Sequence, residues 1–446
     1  MSFARSSVET VLVHISLVST GLVAGIINAR WLGVEGVGIF VLLLLIRDFA
    51  FRLGNLGFGS AFAFFVARSP AQARTLLPLA LWTGLAASLA SGTVVLAVWR
   101  LPFSPWNDIE PGLVHLCLLL VPLSFLRIYL QRILSGELRI REMNVSDLIA
   151  SIGYVALLVG FVIVLNIGLI GAILSVLLSE TFALLFLLWR SVHHASPRVG
   201  ADATTHGSRP TIGELWRYGR WSYLLTFSSF LIEALPLFLL KTFSASNMPV
   251  GLLSRAQNLA RQQRVMVLPV AQVLFPFTAT SQESKATQRT NVLCRNSLVL
   301  VALFVGLMAL FIRPILLLLY GEAFLSAAEI FYALAPGAVL WPVGHFLAIH
   351  IAASGHPKPA FLAGFTTAAA AAVLCASIIP RYGAVGAGLS ASAIYALRTF
   401  LLLLVYARLS SVSWLDVMVP RRSDWTYYRR LVDLITSGML RKTRAG

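Results

Sequence analysis

The sequence predicts an all-α polytopic membrane protein, about 12 transmembrane helices in two six-helix lobes around a central cationic cavity. Three observations carry that expectation. Only 12% of the 446 residues are charged while 58% are hydrophobic, and the mean hydropathy is +0.82; soluble domains carry about 25% charged residues. Apolar runs long enough to cross ~30 Å of hydrocarbon recur along the chain. Four arginines interrupt those runs at matching places, Arg47 and Arg52 early and Arg261 and Arg264 about 213 residues later. A charge near the bilayer centre costs at least ~2.5–3.5 kcal/mol, so it faces a cavity and marks a ligand pathway.

The first lobe, 1–189, holds apolar runs at 9–29, 37–66, 76–99, 112–134, 146–165 and 168–189. Arg5 precedes the first, and no small-residue cleavage site follows it, so it reads as a retained helix and not a signal peptide. The second, 37–66, is too long for one simple span and is expected to tilt, bend or extend into water. A linker, 190–215, contains His193, His194, Pro197, Gly200, Gly207 and Pro210 and has no apolar periodicity that could form a core. The second lobe, 216–409, holds runs at 218–242, 250–281, 292–318, 328–352, 359–379 and 384–407. Its eighth run repeats the excess length of the second and contains Pro269 and Pro276, which interrupt helical hydrogen bonding. The tail, 410–446, places Trp425, Tyr428, Val432 and Ile435 on one helical face beside Arg429 and Arg430, the pattern of a basic amphipathic helix on anionic lipid.

Lysines and arginines set the orientation. Arg68, Arg74, Arg132, Arg139, Arg141, Lys285, Arg289, Lys358 and the linker and tail bases fall on one side, against Arg30, Arg100, Lys241, Arg313 and Arg381 on the other. The richer side is cytoplasmic, which places both termini there. The net charge of +17 is thereby absorbed by topology and implies no nucleic-acid partner. The halves repeat in the same orientation. Gly168-Leu169-Ile170-Gly171-Ala172 and Gly383-Ala384-Val385-Gly386-Ala387 open the sixth helix of each half, 215 residues apart, and Gly38 and Gly251 begin the second, 213 apart.

Within this frame Arg47, Arg52, Gln257, Arg261 and Arg264 are the expected substrate-binding residues of the cavity. Asp48 and Arg52 lie one helical turn apart and are expected to pair, leaving Arg47 as a net positive charge. Arg261 and Arg264 share a face with Gln257 one turn before. Arg255 has two readings, a cavity role or snorkelling to the interface. Asp48, Glu180 and Glu233 are candidates for ion coupling or charge pairing, with pairing the simpler role. Arg127 snorkels or binds, and Arg398 adds a further basic group. His14, His115, His345 and His350 read as helix-to-helix hydrogen bonds, and the spacing of the last two does not make a metal pair. Cys117, Cys294 and Cys375 read as small hydrophobes. No phosphate-binding loop, catalytic residue, cofactor site or metal site is expected, and the chain is not expected to be an enzyme.

The stretch Asn28-Ala29-Arg30-Trp31-Leu32-Gly33, followed by Gly36, Gly38 and Phe40, resembles the first-loop pattern of polysaccharide exporters. Val250-Gly251, Leu274-Phe275-Pro276, Gly321-Glu322-Ala323-Phe324, Ala353-Ser354-Gly355-His356-Pro357-Lys358 and Tyr382-Gly383-Ala384-Val385-Gly386-Ala387 extend the resemblance over nearly the whole chain. It points to the oligosaccharide flippases of the multidrug/oligosaccharidyl-lipid/polysaccharide exporter superfamily and implies a MATE-like fold. The resemblance implies movement of an undecaprenyl-pyrophosphate-linked oligosaccharide across a bacterial cytoplasmic membrane. The implied partners are that lipid-linked substrate, membrane lipids, and the glycosyltransferases and polymerase of the same pathway. The alternatives are a multidrug or small-molecule antiporter of the same superfamily and a membrane-embedded polysaccharide polymerase or ligase.

Overall fold

The computed structural model describes residues 3–69, 72–101, 104, 106–193, 210–280, 282–421 and 424. Every long regular element among them is a helix: α1 Phe3–Gly54, α2 Phe58–Arg68, α3 Ala73–Trp99, α4 Pro111–Leu118, α5 Leu120–Gly136, α6 Ile140–Leu158 and α7 Gly168–His193. There follow α8 Ile212–Thr242, α9 Met248–Arg261, α10 Arg264–Thr280, α11 Glu283–Leu310, α12 Ile312–Leu319, α13 Ala327–Ala353, α14 Pro357–Ser410 and α15 Trp414–Met418. Most of the expected linker, 194–209, and the amphipathic segment at 425–446 lie outside the described residues.

Nine helices among the described residues are long and apolar enough to cross a membrane, against the twelve expected. Three places account for the difference. The first two expected spans form one kinked helix whose break is Gly33, at φ 69°, and the last two form another whose break is Gly383, at φ 55°. Glycine adopts that left-handed backbone without the Cβ penalty other residues meet. The eighth expected span is broken at Gln262 and Gln263 into α9 and α10, each too short alone. The second expected span also ends early. Gly54 closes α1, Leu56 and Gly57 take positive φ, and Phe58 starts α2.

Local chemistry explains the other boundaries. Pro122 clashes with the carbonyl four residues back, at Leu118, where α4 ends and α5 restarts. Thr211 caps α8: its hydroxyl accepts from the Glu214 amide at 3.3 Å while the Glu214 carboxylate accepts from the Thr211 amide at 2.8 Å. That capping box starts the helix at Ile212, inside the expected linker. A π-helical turn, Val159–Val164, ends the α6 run, and Gly168, at φ 63°, opens α7.

The chain divides into two compact units. The first comprises Met1–Leu259, Phe311–Leu334 and Gly364–Ala391. In it α5 and α7 share an apolar core of Leu130, Leu134, Leu184 and Leu187. α8 is joined to α1 and α2 by close backbone approach and rings: a Cβ on Gly57 would lie 2.2 Å from the Gly219 carbonyl, Ser60 and Ser222 share a hydrogen bond, and Tyr218 stacks on Phe64. The second unit comprises Ala260–Leu310, Ala335–Ala363 and Ser392–Gly446. Here the Arg295 guanidinium on α11 donates to both oxygens of Asp424, at 2.7 and 2.9 Å, and to the Asp416 carbonyl, fastening the segment after α14 onto α11.

Candidate functional site

In the first unit five charged side chains from four helices form one cluster, and all but Asp48 line a cavity of about 430 Å³. α1 supplies Arg47 and Asp48, α5 Arg127, α6 Asp147 and α7 Glu180. Arg127 is the hub, donating to Glu180 at 2.6 Å and to Asp147 at 2.6 Å. Gln131, one turn further along α5, donates to the same Asp147 oxygen at 2.8 Å. Arg47 donates to Asp48 at 2.9 and 3.1 Å and reaches Glu180 at 3.9 Å. Ser151, Tyr154 and Ser179 complete the polar wall, and Leu17, Leu44, Ala150 and Val176 the apolar one. A second recess of about 100 Å³, lined by Arg47, Asp48, Ser124, Arg127 and Glu180, adjoins the same charges.

This geometry corrects the expected pairing. Asp48 bonds its neighbour Arg47, whose long side chain arcs back to it, and not Arg52. The Arg52 guanidinium instead lies 5.9 Å from the Phe230 ring on α8, within cation–π range. Arg47 is therefore not a surplus positive charge. Two arginines face three carboxylates here, so the fully ionised cluster carries −1. A buried ion pair must recover the desolvation of both charges, and shared partners around one guanidinium make that recovery larger.

A different arginine in this unit has no acidic partner. Arg255 on α9 is 6% exposed, donates to the Gly25 carbonyl at 3.1 Å, and sits 5.6 Å from the Tyr320 ring. No carboxylate lies within ion-pair distance of it among the described residues, and its Nε has no hydrogen-bond partner. Gly25 makes the approach feasible, since a Cβ there would meet the guanidinium at 2.9 Å. Arg255 also lies in electrostatic range of Tyr154 in the cavity wall, and Asn28 donates to that phenol at 2.9 Å. Snorkelling is excluded by this burial. Gln257, on the same helix, is buried, and Glu233 is half-buried on α8 just before Pro236.

In the second unit Arg261 is half-buried at the end of α9, and Arg264 opens α10. The Arg264 guanidinium lies 4.5 Å from the Trp341 ring and donates to the Tyr395 hydroxyl at 3.4 Å. His345, one turn along α13, stacks on Trp341 at 4.7 Å. His350 bonds Thr290 and His115 packs edge-on against Trp99. All three cysteines are buried thiols.

Sequence reading missed Asp147, Gln131 as its partner, and the Trp341 platform. Asp147 was visible as an acid at the start of an apolar run. Trp341 gave no signal, because an aromatic in a membrane helix is ordinary.

Helices of this length and hydropathy, crossing many times and lined internally by charged side chains, make this a multi-pass membrane protein with a transporter fold. Solved structures support the fold. An inward-facing multidrug resistance transporter of the MATE family matches with a TM-score of 0.67 at 17% identity, covering 90% of this chain and 98% of that one. A MATE protein in a bent conformation matches at 0.64 and 18% identity, covering 92% and 95%. A transporter of the same superfamily from Pyrococcus furiosus, described as having a binding pocket of reversed polarity, matches at 0.63 and 16%, covering 91% and 96%. Among curated proteins no match is found. The model of the polysaccharide biosynthesis protein family matches residues 5–282, more than half of the chain. The chain belongs to that family.

Proposed function

We propose that the chain is a flippase that carries an undecaprenyl-pyrophosphate-linked oligosaccharide from the inner to the outer leaflet of a bacterial cytoplasmic membrane, for assembly of a surface polysaccharide. The observation that carries this reading is Arg255, a guanidinium buried inside a membrane unit against the Gly25 carbonyl and the Tyr320 side chain, with no carboxylate in ion-pair distance among the described residues. Burying an unpaired charge is costly unless a partner arrives. A pyrophosphate is such a partner, because its oxygens match the planar guanidinium fork in bidentate fashion. The lipid tail stays in the bilayer, so only the headgroup needs a polar path. Arg52 in the same unit is suited to contact the anion or the sugars.

The Arg47–Asp48–Arg127–Asp147–Glu180 cluster has the opposite character and takes the coupling role. Protonation of Glu180 would release Arg127 and Arg47 from one shared acid and loosen α5, α7 and α1 together. The membrane potential adds ~2.3 kcal/mol per charge per 100 mV toward outward movement of an anion.

A second reading, a small-molecule or multidrug antiporter, is favoured by the −1 charge of that cluster, which would attract a cation. The two separate in a deletion strain. The flippase reading expects accumulation of lipid-linked oligosaccharide and loss of surface glycan. Unchanged lipid-linked pools with raised sensitivity to cationic drugs would establish the antiporter instead.

A further inference from the structure

A pocket of about 300 Å³ in the second unit lies where five helix ends meet. α10 ends at Thr280, α13 at Ala353 and α14 at Ser410, while α11 begins at Glu283 and α14 at Pro357, behind the lining residue His356. Three C-termini against two N-termini leave a net negative end-dipole field, which favours a cation. The side chains point the same way. Thr290 has one hydroxyl proton and donates it to the Ala286 carbonyl at 3.0 Å, so at 2.8 Å from His350 it must accept from Nδ1–H. The neutral His350 ring then presents Nε2 as an acceptor, on a side chain that lines the pocket. Tyr406 spends its proton on Asn291 at 2.8 Å and leaves its oxygen lone pairs. The Glu283 carboxylate lines the pocket and has no ion pair within 4.0 Å among the described residues. Thr278, 5% exposed, has a hydroxyl with no hydrogen-bond partner among the described residues and lines the same space.

We propose that this pocket binds a protonated primary amine, at the depth where helices leave the membrane and lipid headgroups begin. An ammonium carries three donors and no acceptor, and Glu283, His350 and Thr278 each leave an acceptor oxygen or nitrogen open to it. Ile351, Ala353 and Leu409 supply an apolar side against which a short carbon chain can lie. An ethanolamine headgroup fits that description, and so does a free amine of similar size. A fully methylated choline headgroup does not, having no N–H to donate.

Native mass spectrometry of the full chain, extracted from bilayers of equal phosphatidylethanolamine and phosphatidylcholine, tests this. The expected result is at least a five-fold preference for phosphatidylethanolamine, reduced to parity in Glu283→Gln and weakened in Thr278→Val. A parallel thermal-unfolding series with soluble ethanolamine identifies the source: a Glu283-dependent upward shift without lipid preference assigns a free amine, and lipid preference assigns the headgroup. Equal retention of both lipids together with no ethanolamine shift overturns the proposal. A preference undiminished in Glu283→Gln, with unfolding in phosphatidylcholine matching wild type, overturns it as well.

Discussion

Gly38 and Gly251 lock two helices together reciprocally. A Cβ on Gly38 would lie 2.0 Å from the Asn247 carbonyl oxygen, and one on Gly251 would lie 2.1 Å from that of Val34. Each carbonyl belongs to the residue four before the opposite glycine, and both pairs are separated by 213 residues. The contact is therefore two-fold symmetric in sequence, and only a missing side chain on both partners permits such an approach. Gly38→Ala or Gly251→Ala forces the helices apart and is expected to cost about 1–3 kcal/mol, the usual range for overpacking. Gly306→Ala, where a Cβ meets nothing within 4 Å, is expected to be neutral or slightly stabilising. Chemical unfolding of the purified chain in detergent compares the three.

The charge cluster predicts an asymmetry between two acids on Arg47. The Glu180 side chain is 16% exposed and serves two arginines, whereas Asp48 is 49% exposed. Glu180→Gln is expected to cost about 2–3 kcal/mol, below the full penalty of breaking a wholly buried pair. Asp48→Asn is expected to cost under about 1 kcal/mol, as for a solvated pair. The same unfolding measurement reads both, and equal losses would contradict the assigned hub.

Lys241 and Asp108 pair at 2.6 Å at one end of α8, the lysine buried and the carboxylate half-exposed. Removing the acid strands a buried ammonium; removing the lysine leaves a carboxylate that water can solvate. Asp108→Asn is therefore expected to destabilise by about 2–3 kcal/mol and Lys241→Met by under about 1 kcal/mol. Their unfolding midpoints should differ in that order.

The Arg295–Asp424 clasp gives a pH dependence. Hydrogen bonds from Arg295 hold the Asp424 carboxyl below the ordinary carboxylate range. A carboxylate pKa depressed by folding stabilises fully above its unfolded value, about 3.9, and this contribution is lost as pH falls through the folded value. The wild-type advantage over Asp424→Asn should thus hold from neutral pH down to about 4 and shrink below it. Paired thermal unfolding between about pH 3 and 7 measures it, and an advantage growing as pH falls would reverse the sign.

Much of the fold was legible because hydropathy and glycine report backbone needs directly. The glycines at 33, 38, 168, 251 and 383 stand where the chain kinks, opens a helix or crosses another helix. Thr211-Ile212-Gly213-Glu214 spelled a capping box, so the early start of α8 was readable too. The pairing inside the site was less legible. Spacing on one helix favoured Asp48 with Arg52, but a neighbouring guanidinium and an aromatic ring on another helix won both partners. Arg255 looked like a boundary residue in a polar stretch, and only the tertiary approach of Gly25 and Tyr320 buried it. Helical periodicity cannot report contacts made across 230 residues of chain.

Translocation of a fluorescent polyprenyl-pyrophosphate glycan in vesicles reconstituted with the purified chain tests the central claim most directly. Wild type should move the lipid to the far leaflet, Arg255→Lys should retain part of the rate, and Arg255→Met should fall at least ten-fold while still folding and inserting. Wild-type translocation by Arg255→Met, or no translocation by wild type of any pyrophosphate-linked glycan, would contradict it.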